Sequence, residues 1–322
     1  MKNNKKEQNP FIYSDTNKRY HTYDYYLRHR YGGKCVKLSL DAGLSCPNID
    51  GRCGVGGCIY CSPRGSGDFA FSGLSIAAQY EAQRHLLSHK WETVRCIPYL
   101  QAHTNTYAPI SALRRIYGEV LSLPGAVAFH IATRADCLAP EVLELLWEVS
   151  QKIDLTIELG LQSVHDETAA LINRGHSFFD FLQGYEALRR VVPKARIGIH
   201  LIDGLPGETF DMMLETAKTV ARLMPDEIKF HLLHVVSATH LAAIYERGEY
   251  APLSLSEYVD ILVAQLEILP PEIVVGRVTG DGDPNTLLAP LWSLKKFTVM
   301  NAIDREMKQK NTYQGKKNAL CV

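Results

Sequence analysis

No apolar run in this 322-residue sequence approaches the roughly 18 residues of a membrane-spanning helix, so no helical membrane protein is expected. The charged start MKNNKKEQNP is not followed by an apolar h-region, so no signal peptide is expected either. Net charge is missing as well: 35 Lys and Arg face 35 Asp and Glu, leaving no global field for nucleic acid or a membrane surface. Low-complexity linkers are absent, and nothing repeats beyond an alternation of strand-like and helix-like segments. Cysteine is the contrast. Eight of them without an export signal read as reduced thiols and metal ligands of a cytoplasmic protein rather than as disulfides.

Half of these cysteines fall in one stretch, CPNIDGRCGVGGCIYC, from Cys46 to Cys61. Its glycines let the backbone fold tightly around a bound metal or cluster. A closed zinc site wants four ligands, typically from two C-x-x-C knuckles, and only Cys58–Cys61 forms one. Ferredoxin spacing is absent too. With Cys46, Cys58 and Cys61 as ligands and Cys53 spare, an iron–sulfur cluster would keep one iron open.

Strand-like KCVKLSL precedes that loop, and five more such segments follow: 94–102, 125–133, 152–163, 195–208 and 226–235. Helix-like pieces separate them at 75–91, 111–123 and 140–151, to about 191, and from Thr209. Continuous apolar strands alternating with helices predict a parallel sheet, either doubly wound or a complete or partial barrel. The cysteine loop, LQAHTNT, ATRADC, ELGLQS and HLIDGLPGE all lie at C-terminal strand ends and so meet on one rim.

Flanking segments are read as follows. Residues 1–33 interleave Lys18, Arg19, Arg28 and Arg30 with Tyr20, Tyr23, Tyr25, Tyr26 and Tyr31, and Lys34 comes next. That pattern suits an RNA-contacting surface, or an amphipathic helix whose tyrosines cover the end of a barrel. Residues 34–236 form the core. Residues 237–307 form an extension packed on it, with a helix at 256–268, strand-like PEIVVGRVT, and a helical LLAPLWSLKKFTVMNAIDREM. Residues 308–322 read as a mobile tail.

A three-cysteine loop after the first strand of a βα barrel resembles the radical S-adenosylmethionine superfamily. The usual three residues between the first two cysteines are eleven here. That longer form resembles the YhcC/YtqA-type branch, related to the catalytic subunit of the Elongator complex. Cys46-Pro47-Asn48, Asp50-Gly51, Gly56-Gly57-Cys58 and Tyr60-Cys61 match it, as do ELGLQS, INRGH (172–176), HLIDGLPGE and TLLAPLW (286–292). The resemblance runs from about Tyr20 to Ile303. One departure is TRADC (133–137), where relatives carry proline in place of Ala135.

The resemblance implies an α/β fold built as a partial (β/α)6 TIM-type barrel with an N-terminal segment and a C-terminal α/β extension. It implies a 4Fe–4S cluster on Cys46, Cys58 and Cys61, whose open iron chelates S-adenosylmethionine. Cys53 stays outside the ligand set. By the same resemblance Gln162 and Arg174 contact the methionine portion, His200 the ribose, and Gly204, with Pro206 and Gly207, lets backbone approach the adenine. A surface arginine is the alternative for Arg174, and a satisfied core histidine for His200. Glu158 and Asp203 are polar residues in apolar strands, costly unless bound or paired. His103, Thr104 and Asn105 lie where the superfamily often contacts the methionine amino group. His231 and His234, lacking a third ligand, suit substrate contact or core. Cys137 sits beside the rim.

The expected partners are tRNA and a low-potential electron donor such as flavodoxin or ferredoxin. With no acyl-CoA loop after residue 236, tailoring of an existing wobble-uridine side chain is expected rather than acetyl-CoA-dependent addition; removal of a carboxymethyl group from an aminomethyl substituent is one example. The alternatives are radical chemistry on a small metabolite or a protein, and a non-enzymatic iron–sulfur or zinc protein.

Overall fold

The computed structural model describes residues 9–62, 64–65, 73–88 and 95–318. Six parallel strands alternate with helices: β1 (Cys35–Leu40), β2 (Arg95–Leu100), β3 (Ala128–Thr133), β4 (Asp154–Gln162), β5 (Arg196–Asp203) and β6 (Glu227–Leu232). They lie side by side in chain order. With every crossover of one hand, an unreversed order puts all the helices on one face and curls the sheet around the other. The result is a curled half-barrel and not a doubly wound sheet. The curl is visible in one contact. Lys37 of β1 and Lys229 of β6 both bond the carboxylate of Glu158 on β4. A flat sheet would hold β1 and β6 about 24 Å apart.

On the outer face pack α2 (Ile76–Ser88), α3 (Ile110–Leu121), α4 (Pro140–Ser150), α5 (Asp166–Leu171), α6 (Phe178–Val191) and α7 (Phe210–Arg222). Leu100, Phe129, Ile157, Ile199 and Phe230 are fully buried beneath them, each contributing about 1.5–3 kcal/mol. The helical stretch expected up to residue 191 is two helices. Asn173 and Gly175, with φ of 53° and 77°, break it, and a Ser177–Asp180 capping box restarts it.

Three further strands complete the picture. β7 (Val235–Val236) pairs antiparallel with β9 (Leu287–Ala289), while β8 (Val274–Arg277), from the expected PEIVVGRVT segment, joins β6 in parallel. The sheet therefore has seven strands, one of them from the extension. LLAPLW is not helical, as expected, but strand and 3-10 turn. Helices α8 (His240–Glu246), α9 (Leu255–Ile268) and α10 (Lys296–Gln309) fill the rest of that region.

The two flanking segments are held more firmly than their composition suggests. Residues 308–318, expected to be mobile, pack down instead: Gln314 Nε2 donates to the carbonyls of Pro270 (2.7 Å) and Ile273 (2.8 Å), and Thr312 is buried. Short polar tails look free in sequence because the backbone acceptors that hold them are invisible there. At the other end, α1 (Tyr23–Tyr31) closes the N-terminal mouth of the half-barrel. Its cations are paired: Arg28 with Asp15 and Asp24, Arg30 with Asp154, while Lys34 reaches Asp24. Tyr23 lies under Lys37 and Tyr26 under Arg196. Of the two readings of this segment, the plugging helix is the one that forms. No helix among the described residues is long and apolar enough to cross a membrane.

Candidate functional site

The loop after β1 folds back on itself through short-range bonds. Ile49 N–H donates to the Cys46 carbonyl, Cys53 N–H to Pro47, and Gly57 N–H to Asn48. Asn48 is fully buried and ties this loop to INRGH. Its Nδ2 donates to the Asn173 carbonyl at 2.5 Å, and Asn173 Nδ2 donates back to the Gly57 carbonyl at 2.7 Å. A Cβ on Gly54 or Gly175 would sit 2.2 or 2.6 Å from Asn48 Oδ1, so this stitch needs glycine at both positions.

Cys46, Cys58 and Cys61 open together on one cavity of about 530 Å³, whose lining also includes Gln162, Arg174 and His200. Gly204 is not in that lining. It lies under Leu253, and its carbonyl accepts a hydrogen bond from the Tyr250 hydroxyl. Cys53 is exposed, bonds Asp136, and belongs with Cys137 to a separate cavity of about 860 Å³. That position keeps Cys53 apart from the other three thiols.

The Cys58 thiol is pulled down to about 7, chiefly by a hydrogen bond from Cys61, with Tyr60, Arg134 and Asn48 assisting against burial. The thiolate that this shift favours is the form a soft metal centre takes up. Among the described residues no three His, Cys, Asp or Glu side chains are grouped to hold a single metal ion. In a cubane each thiolate ligates a different iron, so three cysteines around one cavity need not meet at a point.

Arg174 is buried to 1% exposure. Its Nε donates to the His176 carbonyl, and its Nη1 to those of Leu161 and Ser163. Nη2 has no hydrogen-bond partner, and Asp166 lies 3.8 Å away. A buried, unsatisfied guanidinium nitrogen beside the cysteines fits a ligand carboxylate. Gln162 has φ of 65° at a bulge against β5, a conformation that turns its side chain off the strand's regular alternation. Thr104 donates its N–H to Ser45, and the fully buried Asn105 gives its amide to the Leu100, Ala102 and Ala132 carbonyls, holding the ends of β2 and β3 together. The amide nitrogen of Asn105 is thus spent on structure, while its buried Oδ1 has no partner among the described residues.

Deeper in the barrel Glu158 receives four donors. Lys37 and His130 bond Oε1 at 2.6 and 2.9 Å, and His200 bonds Oε2 at 2.9 Å beside Lys229. Burial opposes ionisation, but Lys229, Lys37 and the two histidines hold this carboxyl well below its usual range. Burial, then Lys37, pushes His130 down to about 3; burial, then Lys229, pushes His200 down to about 4. Both rings are therefore neutral. His130 gives its Nδ1 proton to Glu158 and accepts from Tyr23 at Nε2, while His200 gives Nε2–H and keeps Nδ1 as an acceptor. Asp203 is buried, bonds Gln265, and is raised to about 7 by desolvation.

Several site residues escaped the sequence reading. Lys37, His130 and Lys229 are polar at inward strand positions, a signal visible as alternation, but their common partner is not. Arg134, in TRADC, forks onto Asp136 and donates to the Arg174 carbonyl, bracing the loop behind the cysteines. Asn173 was read only as part of a motif.

Comparison with known proteins agrees with this geometry. Residues 49–220 match the Radical SAM superfamily and residues 225–309 the Radical_SAM C-terminal domain. The uncharacterized protein YtqA of Bacillus subtilis (strain 168) is 45% identical over 311 residues, 96% of each chain. A tRNA uridine(34) acetyltransferase of Methanocaldococcus infernus is 29% identical over 57% of this chain and 34% of its own length. The solved structure of the archaeal Methanocaldococcus infernus Elp3 with an N-terminal deletion superposes with a TM-score of 0.67 at 17% identity, over 88% of this chain and 64% of that one, and shares the fold. Three thiols around a cavity at the mouth of a seven-stranded half-barrel, and a profile that spans more than half of the sequence, lead to one family: this chain belongs to the radical S-adenosylmethionine superfamily.

Proposed function

We propose that the chain is a cytoplasmic tRNA-modifying enzyme that tailors a wobble-uridine side chain, for example by removing a carboxymethyl group from an aminomethyl substituent. The observation that carries the radical chemistry is the shared cavity of Cys46, Cys58, Cys61, Gln162, Arg174 and His200. Its size falls within the roughly 300–1,000 Å³ of ordinary ligand pockets. The three cysteines would hold a 4Fe–4S cluster, and S-adenosylmethionine would lie beside it. When bound and reduced by a low-potential donor such as flavodoxin or ferredoxin, this pair supplies a 5′-deoxyadenosyl radical that takes a hydrogen atom from the substrate.

The protein's own residues supply placement. Arg174 Nη2 offers a charged donor for the methionine carboxylate and Gln162 an amide beside it. His200 Nδ1 presents an acceptor for a ribose hydroxyl, its orientation fixed by Glu158. Tyr60, its hydroxyl kept protonated by burial, covers Cys58 and Cys61. The tRNA assignment leans on the name of the tRNA uridine(34) acetyltransferase relative. A second reading, radical chemistry on a small metabolite or a protein side chain, is favoured by the paired cations of α1, which offer little field to a polyanion.

Two experiments test these readings. Reduced, reconstituted protein mixed with S-adenosylmethionine should release 5′-deoxyadenosine, and Cys58→Ala should not. Its absence would return the chain to an electron carrier or a zinc protein. Mass spectrometry of tRNA nucleosides from cells with and without the gene should show a wobble-uridine derivative accumulating on deletion; unchanged profiles would remove tRNA as substrate.

A further inference from the structure

Most polar groups in the cavity are already committed. Glu158, His200 and Lys229 satisfy one another, and the sheet register makes Lys229 the neighbour of Arg277 on β8. Two residues on from Lys229, on the same face of β6, comes His231, and His234 follows just beyond the strand. His231, His234 and Arg277 all line the cavity. Nε2 of each histidine is shielded and has no hydrogen-bond partner among the described residues. No hydrogen bond spends that nitrogen on either ring, and His231 packs against His200 with ring centroids 5.2 Å apart. His234 is seated against the glycine loop after β8: a Cβ on Gly280 would lie 3.2 Å from its Cε1. Arg277 meets Asp281 at 3.5 Å, but that carboxylate is also held by Lys296 at 2.8 Å.

These donors are separate from Arg174. That residue belongs to the loop after α5, stitched to the cysteines, whereas His231 and Arg277 stand on the last two strands of the sheet. S-adenosylmethionine has a single carboxylate. Two shielded imidazole nitrogens without partners, beside an arginine whose carboxylate partner stands 3.5 Å away and is shared with Lys296, call for a second anion in the same cavity.

We propose that His231, His234 and Arg277 form a subsite for a carboxylate carried by the substrate, bound by Arg277 through its fork and by N–H groups of the two imidazoles. The identity of the carrier, a modified uridine, rests on the function proposed above; the subsite itself does not. A side-chain carboxylate is favoured over an RNA phosphate because both imidazole nitrogens are shielded from solvent.

The test is calorimetric titration of cluster-loaded protein with 5-carboxymethylaminomethyluridine, its carboxamide counterpart, N-methylglycine and inorganic phosphate, repeated on Arg277→Gln and His231→Gln. The carboxylate nucleoside should bind at least about tenfold tighter than the carboxamide, and Arg277→Gln should erase that difference. Equal binding of the two nucleosides, unaffected by the variants, overturns the subsite and leaves the wobble-uridine reading standing. Binding of N-methylglycine alone, weakened by Arg277→Gln, keeps the subsite and removes the uridine. Phosphate binding without carboxylate binding, or no anion binding at all, overturns the proposal. Because the comparison of probes is made on the wild-type protein, a variant that fails to fold does not decide the result.

Discussion

Replacing Asp203 by Asn isolates a single buried proton. The side chain ends β5 at 2% exposure; Oδ1 accepts from Gln265 Nε2 at 2.7 Å and Oδ2 has no partner. Desolvation raises its ionisation from 3.8 to about 7, with a smaller push from Glu208. The unfolded chain therefore releases this proton near pH 4 while the folded chain keeps it until about pH 7. Between those limits the native state binds one more proton, so stability is fully present below pH 4 and is lost as pH rises through 7. From pH 5 to pH 8 the loss is two units at 1.36 kcal/mol each, about 2.7 kcal/mol. Asparagine keeps the acceptor for Gln265 and does not titrate. The stability gap between Asp203→Asn and wild type should thus shift by about 2.7 kcal/mol in the variant's favour over that range, since every other group cancels in the difference. Urea unfolding at both pH values measures it. A gap that stays constant within about 0.5 kcal/mol would mean that Asp203 is already ionised in the native state, and the reasoning from burial would fail.

Other expectations are briefer. Glu158→Gln removes the counter-charge of Lys37 and Lys229 and should lower unfolding free energy by about 3–5 kcal/mol; a loss under about 1 kcal/mol would show that the nearby Glu227 carries the pairing instead. Asn48→Ala should leave a folded chain whose iron and sulfide content after reconstitution is markedly reduced, whereas Cys53→Ser should retain the wild-type iron content; the reverse order would displace Cys53's thiol from its assigned position outside the ligand set. Arg28→Gln combined with Arg30→Gln should change tRNA affinity less than about twofold and leave its salt slope unaltered, because those charges are already neutralised. A slope reduced by about two would reinstate α1 as an RNA surface.

The six strands, the rim and the cysteine loop were legible because they rest on local periodicity and spacing. Residues such as Glu158 announced themselves as polar groups in apolar strands, yet their partners did not. Lys37 precedes Glu158 by 121 positions and Lys229 follows it by 71, and only the closure of the sheet brings them to one carboxylate. Gly204 is a different case. Its position at a strand end suggested backbone close to a ligand, and its neighbours Leu253 and Tyr250 come from a loop with no recognisable pattern. The tail at 308–318 was misread because backbone carbonyls, such as those of Pro270 and Ile273, carry no mark in the sequence.

Among the described residues no strand pairs the outer edge of β1, and the cavity lining runs from Ser39 on that strand to Arg277 on β8. A closed ring of strands would accept a nucleotide only through its mouth, end-on. An unclosed ring imposes no threading: a unit in the middle of a long polymer can be laid in from the side and withdrawn the same way, with both neighbours still attached.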